Sequence, residues 1–147
     1  MPLTALHPFK IRSTYPCPMY ASPVPAGFPS PADDYAEGNL DLNEQLIKHP
    51  AATFFVRASG DSMTGAGIQS GDLLVVDRAT EPCDGSVVIA VLNGELTVKR
   101  LRRRGGEVSL ESDNPAYKPI LIGDGMELVI WGVVAHVIHE IRRCQTS

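Results

Sequence analysis

Ser62 stands in Ser59-Gly60-Asp61-Ser62-Met63, directly after the β-forming run Thr53 to Ala58. A turn at that point pushes a hydroxyl out of the sheet while nearby backbone N–H groups point into a cleft, which is the setting a serine nucleophile needs. A serine that only hydrogen-bonds the backbone would occupy the same turn. The segment is not the esterase elbow, because Thr64 stands where the second glycine of G-x-S-x-G belongs. S-x-x-K fails as well, since no serine has a lysine three positions on. A candidate base lies in Glu95-Leu96-Thr97-Val98-Lys99-Arg100-Leu101. Strand alternation puts Thr97, Lys99 and Leu101 on one face and Leu96, Val98 and Arg100 on the other. Either Lys99 or Arg100 must then point toward apolar surroundings or a pocket, unless the strand is a solvated edge with snorkelling side chains. His136 and His139 offer a serine–histidine alternative, but three residues apart in a strand-like run they face opposite sides, so at most one could serve. Packing is the plainer role for both. The run Arg100, Arg102, Arg103, Arg104 reads as a solvated turn, with contact to a macromolecular partner as the alternative.

The elements that must position these groups are mainly β. Thr53 to Ala58, Asp72 to Asp77, Ser86 to Leu92, Glu95 to Leu101, Val108 to Glu111, Ile120 to Ile122 and Leu128 to Ile141 are short runs rich in Val, Ile and Leu. Each is bounded by Gly, Pro, Asn or Asp. Asn93-Gly94 predicts a two-residue hairpin, because both residues accept the positive φ of a type I′ turn. Residues 1–38 carry Pro16, Pro18, Pro23, Pro25, Gly27, Pro29 and Pro31, which forbid regular helix and interrupt sheet ladders. They read as a flexible N-terminal arm ahead of a β-rich domain over 39–147. Asp41-Leu42-Asn43-Glu44 predicts a capped start to one short helix, with Leu46 and Ile47 in phase with Leu42 and Pro50 ending the run.

Composition removes several function classes. The chain has 147 residues, 20% of them charged, and a formal net charge of -4, so no broad basic field exists to hold nucleic acid by phosphate contacts, and no direct sequence-specific binding to nucleic acid is expected. The longest apolar stretch, Leu128 to Ile138, is interrupted by Gly132 and His136 and falls short of the roughly 20 residues of a membrane helix. Met1 to Lys10 lacks the apolar core of a secretory signal, so a cytoplasmic location is expected. Cys17, Cys83 and Cys144 are odd in number and far apart, matching neither a disulfide framework nor a metal or redox motif. No metal or cofactor is expected.

Gly60-Asp61-Ser62-Met63, then Gly71-Asp72-Leu73-Leu74-Val75-Val76-Asp77, then Thr97-Val98-Lys99-Arg100-Leu101 follow one family's pattern in order. The chain resembles the UmuD-type proteins of the LexA-like self-cleaving peptidases from about residue 24 onward. Ala26-Gly27-Phe28-Pro29-Ser30-Pro31-Ala32 resembles that family's cleavage segment, Asn114-Pro115-Ala116-Tyr117 a later loop, and Trp131-Gly132-Val133-Val134 its closing strand. The resemblance implies a compact β domain of the LexA and signal-peptidase type. It also implies a serine–lysine pair of Ser62 and Lys99, an oxyanion held by backbone N–H groups around Asp61 and Ser62, and a scissile bond between Ala26 and Gly27. Lysine must be neutral to act as base; at a pKa of about 10.4 only roughly one in 2,500 is neutral at pH 7, a deficit of about 4 to 5 kcal/mol that burial would reduce. Arginine stays protonated, so the implied base is Lys99 and not Arg100. Ala26 would suit a tight pocket, and Gly27 would let the backbone approach the nucleophile.

The resemblance further implies a switch in the SOS response to DNA damage. A RecA filament on single-stranded DNA would stimulate self-cleavage, and residues 27–147 would pair as a homodimer with a Y-family, UmuC-like polymerase subunit for translesion synthesis. Two other classes stay in view: a non-enzymatic β interaction module, and a LexA- or phage-repressor-like regulator lacking its DNA-binding domain. The 26 residues before the implied cut are too few for a helix-turn-helix module. A signal-peptidase reading shares the chemistry but needs a membrane anchor.

Overall fold

The computed structural model describes residues 3–8, 16–20 and 36–142; Ala26, Gly27 and Cys144 lie outside the described residues. In chain order the strands are β1 Leu3–Pro8, β2 Pro16–Tyr20, β3 Ala36–Asp41, β4 Thr53–Ala58, β5 Leu73–Asp77, β6 Val87–Leu92, β7 Glu95–Arg104, β8 Glu107–Glu111, β9 Ile120–Leu121 and β10 Leu128–Ile138. One α-helix, α1, spans Leu42–Leu46. The chain divides into two compact units, Lys10–Lys48 and, together, Met1–Phe9 with His49–Ser147. No described helix is long and apolar enough to cross a membrane.

In the smaller unit β2 and β3 pair antiparallel, Pro16 opposite Asp41 and Pro18 opposite Asn39. This ladder forms despite the prolines that the sequence places in it. Pro16 and Pro18 share one parity, so both can take positions that donate nothing to the ribbon. Asp41 caps α1 as the sequence predicts, its Oδ1 accepting from Asn43 N at 3.0 Å. The predicted apolar phase is only partly used: Ile47 is buried while Leu42 is exposed.

The larger unit holds an eight-stranded sheet in the order β1-β4-β5-β10-β6-β7-β8-β9. Neighbouring strands in it all pair antiparallel. The seven runs expected from residue 53 onward are its strands β4 to β10. Asn93 (φ 49°) and Gly94 (φ 84°) form the predicted hairpin between β6 and β7. β7 runs three residues past Leu101 because Gly105 and Gly106, both at positive φ, close a second hairpin onto β8. The core has two clusters. Val56, Met63, Leu74, Val76, Ile89 and Val98 belong to one, and Val88, Ala90, Leu101 and Leu110 to the other. Val88 and Ile89 alternate between them, so β6 is buried on both faces. The central strand β10 bends at two register shifts, and Gly132 sits at the first. A Cβ there would lie 2.7 Å from Val76 Cγ1, so only glycine lets β10 press against β5.

Candidate active site

Ser62 lies on the turn that leaves β4. Ala58 N donates to Asp72 O at 2.9 Å and Gly71 N to Ala58 O at 2.8 Å, which ties the start of the turn to the entry of β5. Gly60, at φ 91°, makes the bend that a side-chain-bearing residue would resist. Met63, fully buried in the first core cluster, anchors the other side, and its carbonyl accepts from Ala66 N and Ile68 N. Between these two fixed points Ser62 is 4% exposed, and its buried Oγ has no hydrogen-bond partner. Among the described residues the N–H groups of Asp61 and Ser62 donate to no intrachain acceptor. A buried hydroxyl usually has a partner, so an orphan one on a glycine-bounded turn calls for a functional explanation.

Lys99 lies on β7 opposite Val88 of β6 and is 9% exposed. The last β7–β8 pair is Arg100↔Glu111; one step beyond it, Ser112 stands opposite Lys99. Lys99 Nζ donates to Ser112 Oγ at 2.6 Å and sits 5.6 Å from the centre of the Tyr117 ring. A groove of about 280 Å³ borders Lys99 and is walled by Leu92, Leu96, Thr97 and Ile120, with Glu95 at its rim.

The loop from Ser112 to Tyr117 joins the two halves. Asn114 Nδ2 donates to Asp61 O at 2.8 Å, and the Tyr117 hydroxyl donates to Asp61 Oδ1 at 2.6 Å. Asp113 N donates to Met63 Sδ at 3.4 Å, and Gly65 N donates to Asp113 O at 2.6 Å. The residues flanking Ser62 are therefore bonded to the loop that carries the Lys99 contacts. Ser62 Oγ itself bonds neither Lys99 nor any histidine. The Asp61 carboxylate raises the Tyr117 phenol above its usual value, so Tyr117 remains a donor at neutral pH.

Sequence reading named Asn114 and Tyr117 only as resemblance and missed Ser112, Asp113 and Gly65. It also assigned Arg100 to Arg104 to a solvated turn, and the structure corrects that. Arg100 grips the Asp113 carboxylate through Nε and Nη2 and donates from Nη1 to Gly85 O at 2.6 Å. Arg102 pairs with Glu111 at 3.0 Å, and Arg103 is tied to Asp84 and Pro82. Carboxylates satisfy the guanidinium groups of Arg100 and Arg102, and the Pro82 carbonyl accepts from that of Arg103; the spacing of the arginines in sequence carries no sign of these partners. The histidine alternative also gains nothing. His139 lies past the end of β10 with Nδ1 2.6 Å from Asp72 Oδ1, and His136 is on β10 opposite Val75.

A Cβ added to Gly65 would lie 2.5 Å from Asp113 O. Gly65→Ala should push the 112–117 loop off the Ser62 turn and lower stability by about 2 kcal/mol. A thermal melt matching wild type would show that the loop is not seated this way. The Arg100 hydrogen bond holds the Asp113 carboxyl below its usual range, against the opposing effect of burial. A depressed carboxyl contributes stability that is present above its unfolded value of about 3.9 and lost as pH falls through the folded value. Asp113→Asn should therefore lower stability at pH 7 and flatten the loss below about pH 4, read by melts across pH.

The sequence pattern of the family described as Peptidase S24-like matches residues 18–135. The chain belongs to this family. The protein ImpA of Escherichia coli is 53% identical over 131 residues, covering 88% of each chain. The protein SamA of Salmonella typhimurium strain LT2 is 54% identical over 132 residues, covering 90% of each. The protein MucA of Escherichia coli is 43% identical over 129 residues, covering 86% of this chain and 87% of that one. These matches bear out the resemblance to UmuD-type proteins, and the sheet-rich domain fits an S24-like peptidase. The turn carrying Ser62, the strand carrying Lys99 and the loop joining them all fall inside the matched span.

Proposed function

We propose that this S24-like chain is an SOS-mutagenesis protein that cuts itself between Ala26 and Gly27, with Ser62 as nucleophile and Lys99 as general base. The observation that carries the reading is the buried, partnerless Ser62 hydroxyl on a turn bonded to the loop that contacts Lys99. In this reaction Ser62 Oγ attacks the Ala26 carbonyl carbon and its proton passes to the neutral Lys99 amine. The N–H groups of Asp61 and Ser62 receive the developing oxyanion. As the peptide bond breaks, Lys99 returns the proton to the Gly27 amine, and water then hydrolyses the acyl-serine.

A RecA filament on single-stranded DNA would stimulate the cut by favouring a conformation in which the segment reaches Ser62. The product, residues 27–147, would act in the cytoplasm as a homodimer beside a Y-family, UmuC-like polymerase subunit. No cofactor enters the chemistry. Purified chain incubated with RecA, single-stranded DNA and nucleotide, or at alkaline pH alone, should yield one new pair of masses cut at Ala26–Gly27. Ser62→Ala should yield none. A cut elsewhere, or undiminished cutting in that variant, would remove the mechanism.

A further inference from the structure

Lys99 makes its one side-chain hydrogen bond to an uncharged group, and that group is not Ser62. Its Nζ donates to Ser112 Oγ at 2.6 Å, while Ser62 Oγ is buried with nothing to bond. The ionisable groups around it are otherwise occupied. Tyr117 donates its hydroxyl to Asp61, Asp113 lies in the fork of Arg100, and Glu111 is paired with Arg102. Glu95 lines the same groove but forms no ion pair with Lys99 among the described residues. Lys99 is therefore a nearly buried amine held by one hydroxyl and one ring face, with no ion pair among the described residues.

An ammonium carries three N–H donors and no lone pair, so a hydroxyl facing it accepts. A hydrogen bond from a charged donor is stronger than the same bond from a neutral amine, so a fixed acceptor favours the protonated form. A base for Ser62 needs the opposite state, neutral, with its lone pair aimed at Ser62 Oγ.

We propose that Ser112 is a positioning residue that holds Lys99 in a resting, protonated arrangement, and that activation hands Lys99 from the Ser112 hydroxyl to the Ser62 hydroxyl. The inference rests on the serine–lysine reading above. Lys99 gives up one proton to solvent, its bond to Ser112 weakens, and the freed lone pair accepts from Ser62 Oγ–H. The 112–117 loop suits this exchange. Ser112 precedes Asp113, which bonds Met63, the residue after Ser62. Tyr117 spans the same two sides, with its hydroxyl on Asp61 and its ring beneath Nζ. A small shift of this loop would alter both contacts together.

The test is the pH profile of self-cleavage in the full-length chain for wild type, Ser112→Ala, Ser112→Val and Ser112→Thr. Removing the hydroxyl should lower the pH of half-maximal cleavage by about one unit and speed cleavage at pH 7 by about tenfold, with the alkaline plateau nearly unchanged. Ser112→Val, which has the shape of threonine without the acceptor, should behave like alanine and serves if the alanine variant fails to fold. Ser112→Thr keeps the acceptor and should match wild type. An unmoved midpoint, or a lower plateau at an unmoved midpoint, overturns the proposal. A second readout separates this inference from the cleavage reading itself. In a Ser62→Ala background, acylation of Lys99 by an amine-reactive ester, followed by mass spectrometry across pH, reports the neutral amine directly. The same shift with Ser112→Ala should appear there even if no cut at Ala26–Gly27 is ever seen, and its absence overturns the proposal.

Discussion

Lys99→Arg is expected to abolish self-cleavage at every pH up to about 10 while leaving the domain folded. Arginine keeps a cation over the Tyr117 ring and a donor for Ser112 Oγ, the two contacts Lys99 makes. It cannot supply a lone pair, because a guanidinium stays protonated in this range. Loss of a general base lowers rates by about 10² to 10⁴, so cutting should fall below detection over hours. Lys99→Ala should lose cleavage equally, but it also leaves the Ser112 hydroxyl without its partner and opens a gap beside Val88, so it should melt lower than the arginine variant. The informative comparison is product mass against pH beside a thermal melt for each variant. If Lys99→Arg cuts at a rate near wild type, the residue acts through its charge and not as a base, and the serine–lysine mechanism fails.

The second large effect concerns what the cut removes. Residues 1–26 include β1, which pairs with β4 from Leu3 opposite Ala58 to Pro8 opposite Phe54. They also include β2, the partner of β3. Release of residues 1–26 after a cut between Ala26 and Gly27 would turn β4 from an inner strand into an edge, with alternate N–H groups along Thr53–Ala58 left without acceptors. Hydrogen exchange compares uncut Ser62→Ala chain with the 27–147 product. Exchange at the β4 amides that face β1 should rise by about 10² or more in the product, while β6 and β10 keep their protection. Because β4 runs straight into the Ser62 turn, that turn should exchange faster as well. Equal protection in both forms would show that β1 does not cover β4, or that another strand takes its place in the product.

Much of the fold is local and so could be read along the chain. The strands from Thr53 onward follow from short runs of β-branched and aliphatic residues between turn formers, and Asn93-Gly94 marks its hairpin because few other pairs accept two positive φ values. Asp41 was legible as a cap for the same reason, since its carboxylate reaches an N–H two residues away. The motifs around Ser62 and Lys99 were legible as motifs.

What they bond to was not, because those contacts join residues far apart in sequence. Arg100 and Asp113 are 13 positions apart, Met63 and Asp113 50, and Asp61 and Tyr117 56. Nothing in a run of arginines tells a solvated turn from a fork around a carboxylate until strand register and the loop after β8 bring Asp113 to Arg100 and Glu111 to Arg102. Proline content argued against pairing before residue 38, yet β1 and β2 both found partners, because an antiparallel strand needs only alternate N–H groups. By itself the sequence determined the strand and turn positions from Thr53 onward and put forward Ser62 and Lys99 as candidates for chemistry. The tertiary structure decided that Lys99 rests on Ser112 while Ser62 waits unbonded, since strand register and loop closure select among partners that the chain order leaves equally available.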